Sequence, residues 1–599
     1  MASTRPNKRI SFQQAVSSIV EMLDSDDTQD EVDSEDEVVQ SDVTDDQEQN
    51  DSQGGAAIQL FEEYSDGELN VIDSDNETSS SDDETPSSAY RHTDHVSPNG
   101  FCWSEQRPTA HRLQRNVIDF IPGPTVTPET ELQSFDLFVS EVILRTILRY
   151  TNSRIRALGK KTFSLSEMKA CIAVIVRAGA DRDNLSSVES LFTPSDSRPF
   201  YRCAVSKNRL RLFLRHVTFD NKHTRIERQK NDKLAAIREI WNLFEMNLTK
   251  NYIPSESLTI DEQLYPFRGY VPGRSYMPMK PAKYGTKLFW ICDAKNGYAL
   301  QSIPYCGKLN NEREVGLAEN VVLKLSERYF NSGRNIFMDR FFSSHSVAKK
   351  LLAKGLTMTG TIKQNRREVP PNFRCVKSRD TFSTKELWDV ENRIMLLSYV
   401  PKRNKNVLMI SSMHSHPGVN FNRDDMKPDV IHDYNHGKGG VDVLDSRIED
   451  FTCKRMTRRY PMIFFFLMLD VALVNSYLVL KESKENYTDD RKTFIKMVSQ
   501  SLASEFMVSR YNSPKIFSQL QNSFALMTLI HPIHRQRLPV GQSQTRPGPA
   551  GDSRSMQKVG KCQIPKCRRS TRHTCAKCAV NICSEHKVTT SLCGTCVNK

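Results

Sequence analysis

The stretch LTIDEQLYPFRGY, Leu258 to Tyr270, decides the fold. Leu258, Thr259 and Ile260 suit a pleated, buried strand, and Asp261 closes that apolar run. A carboxylate at such a place costs desolvation free energy unless it pairs with a cation or binds a metal. A single Asp there would read as a solvated turn residue, since charges mostly stay in water.

The pattern recurs. NIFMDRFFSS, Asn335 to Ser344, again sets an Asp, Asp339, after an apolar run. YNHGKGGVDVLD, Tyr434 to Asp445, then supplies Asp442 and Asp445, three apart and so on one face of a helix. A strand-end Asp, a second strand-end Asp and a helical Asp are the layout of a two-metal phosphoryl-transfer site in an RNase-H-like core. Glu262 and Asp293 are read as surface carboxylates and left out of the set.

At these residues the chain resembles the piggyBac-type DDE/D transposases. The motifs IDEQL, KPAKYGTK and YNHGKGGVDVLD, followed by a basic stretch, stand in that family's order and approximate spacing. The resemblance covers Phe135 to about Leu480 and the cysteine-rich tail. It implies a multidomain α/β protein: an RNase-H-like catalytic core split by an inserted β-rich domain, a flanking helical dimerisation and DNA-binding domain, and a small C-terminal two-zinc cross-brace domain. The expected boundaries are a disordered acidic arm at 1–115, the first helical part at 116–256, the core at 257–364 and 426–451, the insertion at 365–425, the second helical part at 452–535, a linker at 536–559 and the zinc domain at 560–599.

The charge is divided unevenly. Residues 1–90 hold 3 Lys and Arg against 25 Asp and Glu, a net of −22, which leaves 80 against 47, a net of +33, for the rest. A body that basic points to a polyanion, most directly nucleic acid. The arm has too few apolar residues to offset chain entropy. In it Ser34, Ser65, Ser74 and Ser81 each precede an acidic residue by three, a pattern that acidophilic kinases favour. No apolar h-region opens the sequence, so no secretory signal is expected. The one long apolar run, Pro461 to Leu480, is interrupted by Asp470 and Asn475. Both are expensive in lipid, so it reads as a buried core helix and no membrane partner is expected.

Apolar residues at helical spacing, Phe135, Phe138, Val142, Thr146 and Tyr150, predict one helix running on from Phe135. Further helices are expected over 166–178, 206–219, 232–248, 317–329 and 344–353. Strands 287–293 and 298–305 read as a hairpin turned at Asn296-Gly297. In CKRMTRRYPM the cations Lys454, Arg455, Arg458 and Arg459 suit phosphate contacts. Tyr460 stands where many family members carry Trp, and the expectation is that it stacks on a base.

Half of the 14 cysteines crowd the last forty or so residues. Cys562 and Cys567, Cys575 and Cys578, Cys583 and His586, Cys593 and Cys596 form four consecutive pairs, the number that two tetrahedral zinc sites require. Cross-brace pairing of first with third and second with fourth is expected, giving two Zn²⁺ per chain. Arg568, Arg569 and Arg572 lie among these ligands and suit DNA.

The resemblance implies catalysis by two Mg²⁺ per active site, with Asp261 bridging, Asp339 and Asp442 completing the ligands and Asp445 auxiliary. It implies double-stranded DNA as partner (transposon ends and a TTAA target), hairpin formation during excision, a homodimer and a nuclear location. No Walker-type loop is present, so no nucleotide cofactor is expected. Two other readings stay open: a domesticated descendant that binds DNA or chromatin without catalysis, and a PHD- or RING-like zinc reader carried on a structural scaffold.

Overall fold

A computed structural model describes residues 94–108, 120–195, 197–278, 280–307, 315–513 and 523–524, with four two-residue strand segments in the tail. Residues 1–93 of the expected acidic arm and all eight expected zinc ligands lie outside the described residues, as do Arg568, Arg569 and Arg572. The expectation of disorder up to residue 115 is corrected for 94–108, where Asp94–Val96 and Cys102–Ser104 pair as strands. In the tail, Gly560–Lys561 pairs antiparallel with Ser570–Thr571, and His573–Thr574 with Asn581–Ile582.

The strand predicted from LTIDEQL runs over Ser257–Pro266 and lies inside an eleven-stranded mixed sheet. In chain order the strands are β1 Asp94–Val96, β2 Cys102–Ser104, β3 Ser257–Pro266, β4 Ser275–Tyr276, β5 Tyr284–Asp293, β6 Ala299–Pro304, β7 Asn335–Met338, β8 Thr357–Thr361, β9 Thr384–Asp389, β10 Ile394–Tyr399 and β11 Val407–Ser411. Their spatial order is β1-β2-β9-β10-β11-β8-β7-β3-β5-β4, with β6 on the far side of β5. Only β3 with β7 and β7 with β8 are parallel. The strands β3, β5, β6, β7 and β8 therefore stand as β6-β5-β3-β7-β8. The β5–β6 hairpin turns where expected, with Gly297 at φ +68°, a left-handed conformation that a glycine adopts without strain.

Within 365–425 the strands β9, β10 and β11 continue this same sheet, β11 pairing with β8 through Thr359–Ser411 to Thr361–Met409. The short β1–β2 hairpin joins at the outer edge of β9, where Ser104 pairs with Trp388. It is pinned by Trp103, whose buried indole donates to the Ser97 hydroxyl at 3.0 Å and the Glu368 carbonyl at 2.8 Å.

The labelled helices are α1 Glu141–Ala157, α2 Leu165–Asp181, α3 Lys207–His216, α4 Arg238–Lys250, α5 Leu317–Ser326, α6 His345–Ala353, α7 Asp429–Gly437, α8 Gly440–Asp450, α9 Tyr460–Ser483 and α10 Arg491–Tyr511. Ser164 caps α2 by accepting from Glu167 N, so one orphan amide of the first turn is satisfied. The single helix expected from Phe135 onward is corrected. A one-and-a-half-turn segment ends at Asp136, the chain turns through 137–140, and α1 starts afresh at Glu141. Val142 is 61% exposed, while the buried stripe of α1 is Ile143, Leu144, Ile147, Thr151 and Ile155. Phe135, in the last turn of the short segment, and Phe138, in the turn after it, are both buried, which is why they mimicked one helical period.

Helix α9 is apolar on every side and almost wholly buried, as expected of a core helix. Its two polar interruptions have work within the fold. Asn475 accepts from Ala299 N at 3.0 Å and donates to Ala299 O at 2.9 Å, behaving as an extra strand beside β6. The other, Asp470, accepts from the Tyr265 hydroxyl of β3 at 2.8 Å. Helices from before and after the sheet pack together: the Ser134 hydroxyl donates to Ser476 O at 2.7 Å, and Arg510 donates to the carbonyls of Arg202 and Cys203.

Candidate active site

Parallel pairing of β3 with β7 runs from Ser257–Asn335 to Ile260–Met338. The next residue on each strand is an acid, Asp261 and Asp339. Adjacent strands lie about 4.8 Å apart, so the register alone brings the two carboxylates to neighbouring places at the C-terminal edge of the parallel pair. Asp339 is held by its own turn: Oδ1 accepts Phe341 N at 2.9 Å, and its carbonyl accepts Phe342 N and Ser343 N. Asp261 Oδ1 accepts Glu262 N at 2.7 Å.

The third acid arrives from α8, which lies against the face of β3 that carries Thr259, Asp261, Gln263 and Tyr265, alternate residues on one side of the strand. Two glycines allow that approach. A Cβ on Gly437 would run into the Phe337 ring of β7, and one on Gly440 would stand 3.0 Å from Thr259 Oγ1 and 3.1 Å from Asp293 O. With no side chain at either place, the start of α8 reaches the sheet, and Asp442 is exposed in its first turn.

The electrostatics report this gathering. Burial first, then the Asp339 carboxylate and behind it Asp442, push the Asp261 carboxyl up to about 8, against the Glu262 amide that favours its charge. Burial raises Asp339 as well, with the Glu262 carboxylate adding to it and the amides of Phe341 and Phe342 opposing. Tyr434 of α7 is also raised, by burial and then by the charges of Asp339, Asp261 and Asp442, which places its phenol beside all three acids.

Asp445 sits one helical turn on, half-buried. Its Oδ1 accepts Gln263 Nε2 at 2.7 Å, and Gln263 Oε1 accepts the indole of Trp290 at 2.9 Å. Burial raises the Asp445 carboxyl, opposed by the Gln263 amide and Lys280.

Two carboxylates left out of the sequence set are corrected. Asp293 is fully buried. It accepts from Ser255 N at 2.8 Å, Ser255 Oγ at 2.7 Å and Lys295 N at 2.8 Å, locking the ends of β3 and β5 together. Glu262 is partly buried and ion-paired with Lys287, whose ammonium lies 5.2 Å from the Phe341 ring. Sequence reasoning also passed over Gln263, Tyr434, Gly437 and Gly440; the glycine spacing in YNHGKGGVD was the available signal.

The basic stretch divides in two. Arg455 is buried and donates to Ser186 O. Arg459 donates to the carbonyls of Leu214, Arg215 and Val217 at the end of α3, where a cation complements the helix dipole. Lys454 is half-buried, its ammonium 5.6 Å from the Tyr265 ring. Tyr460 packs at the start of α9 against the core, its hydroxyl 3.4 Å from Lys233 O. Arg458 is exposed.

No group of three or more His, Cys, Asp or Glu side chains among the described residues is drawn tightly enough together to form a finished metal cage. Three mutually repelling carboxylates at the end of a buried strand nonetheless fit a divalent cation by donor type: Mg²⁺ takes hard carboxylate oxygens and keeps several waters. Burial first, and then the charges of Asp339 and Asp442, raise the Asp261 carboxyl, and a cation held there would favour its charged form.

A profile of the family described as transposase IS4 matches residues 130–477. The human PiggyBac transposable element-derived protein 2 is 23% identical over 368 residues, 57% of this chain and 60% of the relative. The human PiggyBac transposable element-derived protein 3 is 23% identical over 408 residues, 64% of this chain and 66% of the relative. The chain thus spans less than two thirds of either relative. Among solved structures, the piggyBac transposase synaptic complex with hairpin DNA, determined by cryo-EM, matches with a TM-score of 0.66 and 31% identity, over 80% of this chain and all of that one.

Proposed function

The chain belongs to the IS4 transposases, in their piggyBac branch, and from that premise we propose that it is a cut-and-paste DNA transposase with an RNase-H-like active site. The observation that carries the reading is the juxtaposition of Asp261 and Asp339 at the ends of parallel β3 and β7, with Asp442 brought over them by the glycine-cleared approach of α8. The strand order β6-β5-β3-β7-β8 supports it.

In this reading Asp261, Asp339 and Asp442 hold two Mg²⁺. Bound there, the ions supply charge stabilisation to the attacking and leaving oxygens of a phosphodiester. The chain's own residues fix the carboxylates. Paired backbone sets the separation of Asp261 and Asp339. The turn amides at Phe341 and Phe342 aim Asp339, and Lys287, paired with Glu262, offsets part of the repulsion that the Glu262 carboxylate adds. The substrate is duplex DNA. Water cleaves one strand at each element end, and the freed 3′-OH displaces the opposite strand to form a hairpin. After the hairpin opens, the ends join at TTAA. A homodimer, a nuclear location and two Zn²⁺ on the eight tail ligands complete the proposal.

A second reading, DNA binding without catalysis, draws on the two human relatives, whose names call them transposable element-derived. One experiment separates the two: excision from a donor plasmid bearing the element's own flanks. Excision by the wild type, lost in Asp261→Asn, Asp339→Asn and Asp442→Asn while DNA binding is kept, is the expected result. Full excision by Asp339→Asn would overturn the site.

A further inference from the structure

The polar face of β3 hydrogen-bonds the α7–α8 segment directly at two of its four alternate positions, and at a third it reaches the residues after α8 through Asp470 of α9. Thr259 Oγ1 donates to Gly437 O, just before α8. Gln263 Nε2 donates to Asp445 Oδ1, in the middle of α8. The Tyr265 hydroxyl donates to Asp470 Oδ2 at 2.8 Å, and Asp470 accepts in turn from Thr452 Oγ1 at 2.6 Å and Cys453 N at 2.8 Å, just past the end of α8. The fourth alternate residue is Asp261 itself.

Each of these contacts has a fixed sense. Trp290 Nε1 can only donate, so the Gln263 amide must turn its oxygen to the indole and its NH₂ to Asp445. Trp290 is fully buried against Trp241, so the amide is anchored to the core. Asp470 is buried and draws its polar contacts from donors on both β3 and the segment after α8; the charged group facing it is Lys454, whose ammonium lies over the Tyr265 ring. Buried hydrogen bonds of this kind are directional and tolerate little displacement.

We infer that Thr259, Gln263, Tyr265 and Asp470 form a polar rail by which the strand of Asp261 sets the position of the helix of Asp442, with Gln263 and Tyr265 as positioning residues for the third carboxylate. The inference rests on the metal reading above and adds residues to it. β3 carries Asp261 and, through the rail, holds α8 before, within and after its length. The distance from Asp261 to Asp442 is then set by one strand rather than by the loops that flank α8. Residues that orient metal ligands from behind tune the affinity for the ion.

The test titrates Mn²⁺ into the full chain by calorimetry and follows thermal unfolding of the same metal-free samples. The variants are Gln263→Met, Tyr265→Phe and Asp339→Asn. Asp339→Asn reports the Mn²⁺ taken up elsewhere on the chain. The expected result is that Mn²⁺ binding dependent on Asp339 weakens roughly tenfold or more in Gln263→Met, and about threefold in Tyr265→Phe, which acts one bond further out. A merely structural role would lower the metal-free melting temperature and leave the Mn²⁺ affinity where it was. Gln263→Met orphans the Trp290 indole; if it does not fold, Tyr265→Phe decides alone, since Asp470 keeps Thr452 and Cys453. Binding lost in Asp339→Asn yet unchanged within about twofold by the rail variants overturns the rail alone. Mn²⁺ uptake indifferent to Asp339→Asn overturns the metal reading and the rail with it.

Discussion

Asp261 and Asp339 stand one residue past Ile260 and Met338, the last paired positions of two parallel neighbouring strands. Hydrogen bonds that stabilise the sheet therefore hold two like charges side by side. The stability of metal-free protein should record this. The Asp261 carboxyl titrates at about 8 in the fold, against 3.8 ordinarily. Between those values the folded state keeps a proton that the unfolded chain has released, so stability falls as pH rises through this window. In chelator, Asp261→Asn should remove that slope. Its melting temperature should exceed the wild type's by on the order of 5 °C at about pH 8 and converge with it near pH 4. An offset that is the same at both ends would count against a raised Asp261 carboxyl in the fold.

The glycines of the α7–α8 segment make a graded series. Alanine at Gly437 meets the Phe337 ring, and overpacking of a core typically costs about 1–3 kcal/mol. Alanine at Gly440 meets Thr259 Oγ1 at 3.0 Å, tight enough to push the start of α8 outward. Alanine at Gly439 meets nothing within 4 Å, and its φ of −85° suits any residue. Thermal unfolding should rank Gly437→Ala as clearly destabilised, Gly440→Ala as mildly so and Gly439→Ala as near wild type. Strand cleavage should fall in Gly440→Ala by more than its stability loss explains, because Asp442 moves with the helix. Equal behaviour of the three would remove the close-approach argument.

Much of this was legible in the sequence because the signals are local. Apolar runs ending in Asp261 and Asp339 and the Asn296-Gly297 turn depend on residues within a few positions of each other. The break at 137–140 was not legible, because Phe135 is buried from the short helix before it and Phe138 from the turn itself, and periodicity cannot tell that from one continuous helix face. Asp293 read as a surface group for the same reason: its three donors come from the Ser255 and Lys295 backbones and the Ser255 hydroxyl, and nothing near it in sequence shows that these ends meet. Gln263 and Asp445 are 182 residues apart, and no spacing rule links them. Arg455 and Arg458 look alike in a basic run; only the tertiary contact of Arg455 with Ser186 O, 269 residues away, separates the buried guanidinium from the exposed one.

The tail is tested by composition. If the four Cys and His pairs hold two tetrahedral zinc ions as proposed, their ligation contributes folding free energy directly. Metal analysis of the full chain should return about two zinc ions per chain. Chelation should expose the residues from Cys562 to Cys596 to proteolysis while the melting of the sheet is unchanged. One zinc or none would refute the cross-brace.

The basic stretch before α9 offers a paired test of structure against binding. Arg455 is buried and bonded to Ser186 O, and burial holds its guanidinium below the ordinary range. Removing it leaves that carbonyl without its charged donor, so Arg455→Ala should destabilise by about 2 kcal/mol. Arg458 stands exposed three residues on. A phosphate contact there contributes to affinity through counter-ion release, and its loss lowers the slope of log affinity against log salt by about one. Arg458→Ala should therefore weaken binding to duplex DNA and flatten its salt dependence, with melting unchanged. Arg455→Ala should do the converse, lowering the melting temperature and leaving the salt slope of the folded fraction intact. Arg459 belongs with Arg455, since its guanidinium caps the end of α3. A salt slope reduced by Arg455→Ala and untouched by Arg458→Ala would mean that DNA approaches from the other side of the turn, and the assignment of the two arginines would have to be exchanged.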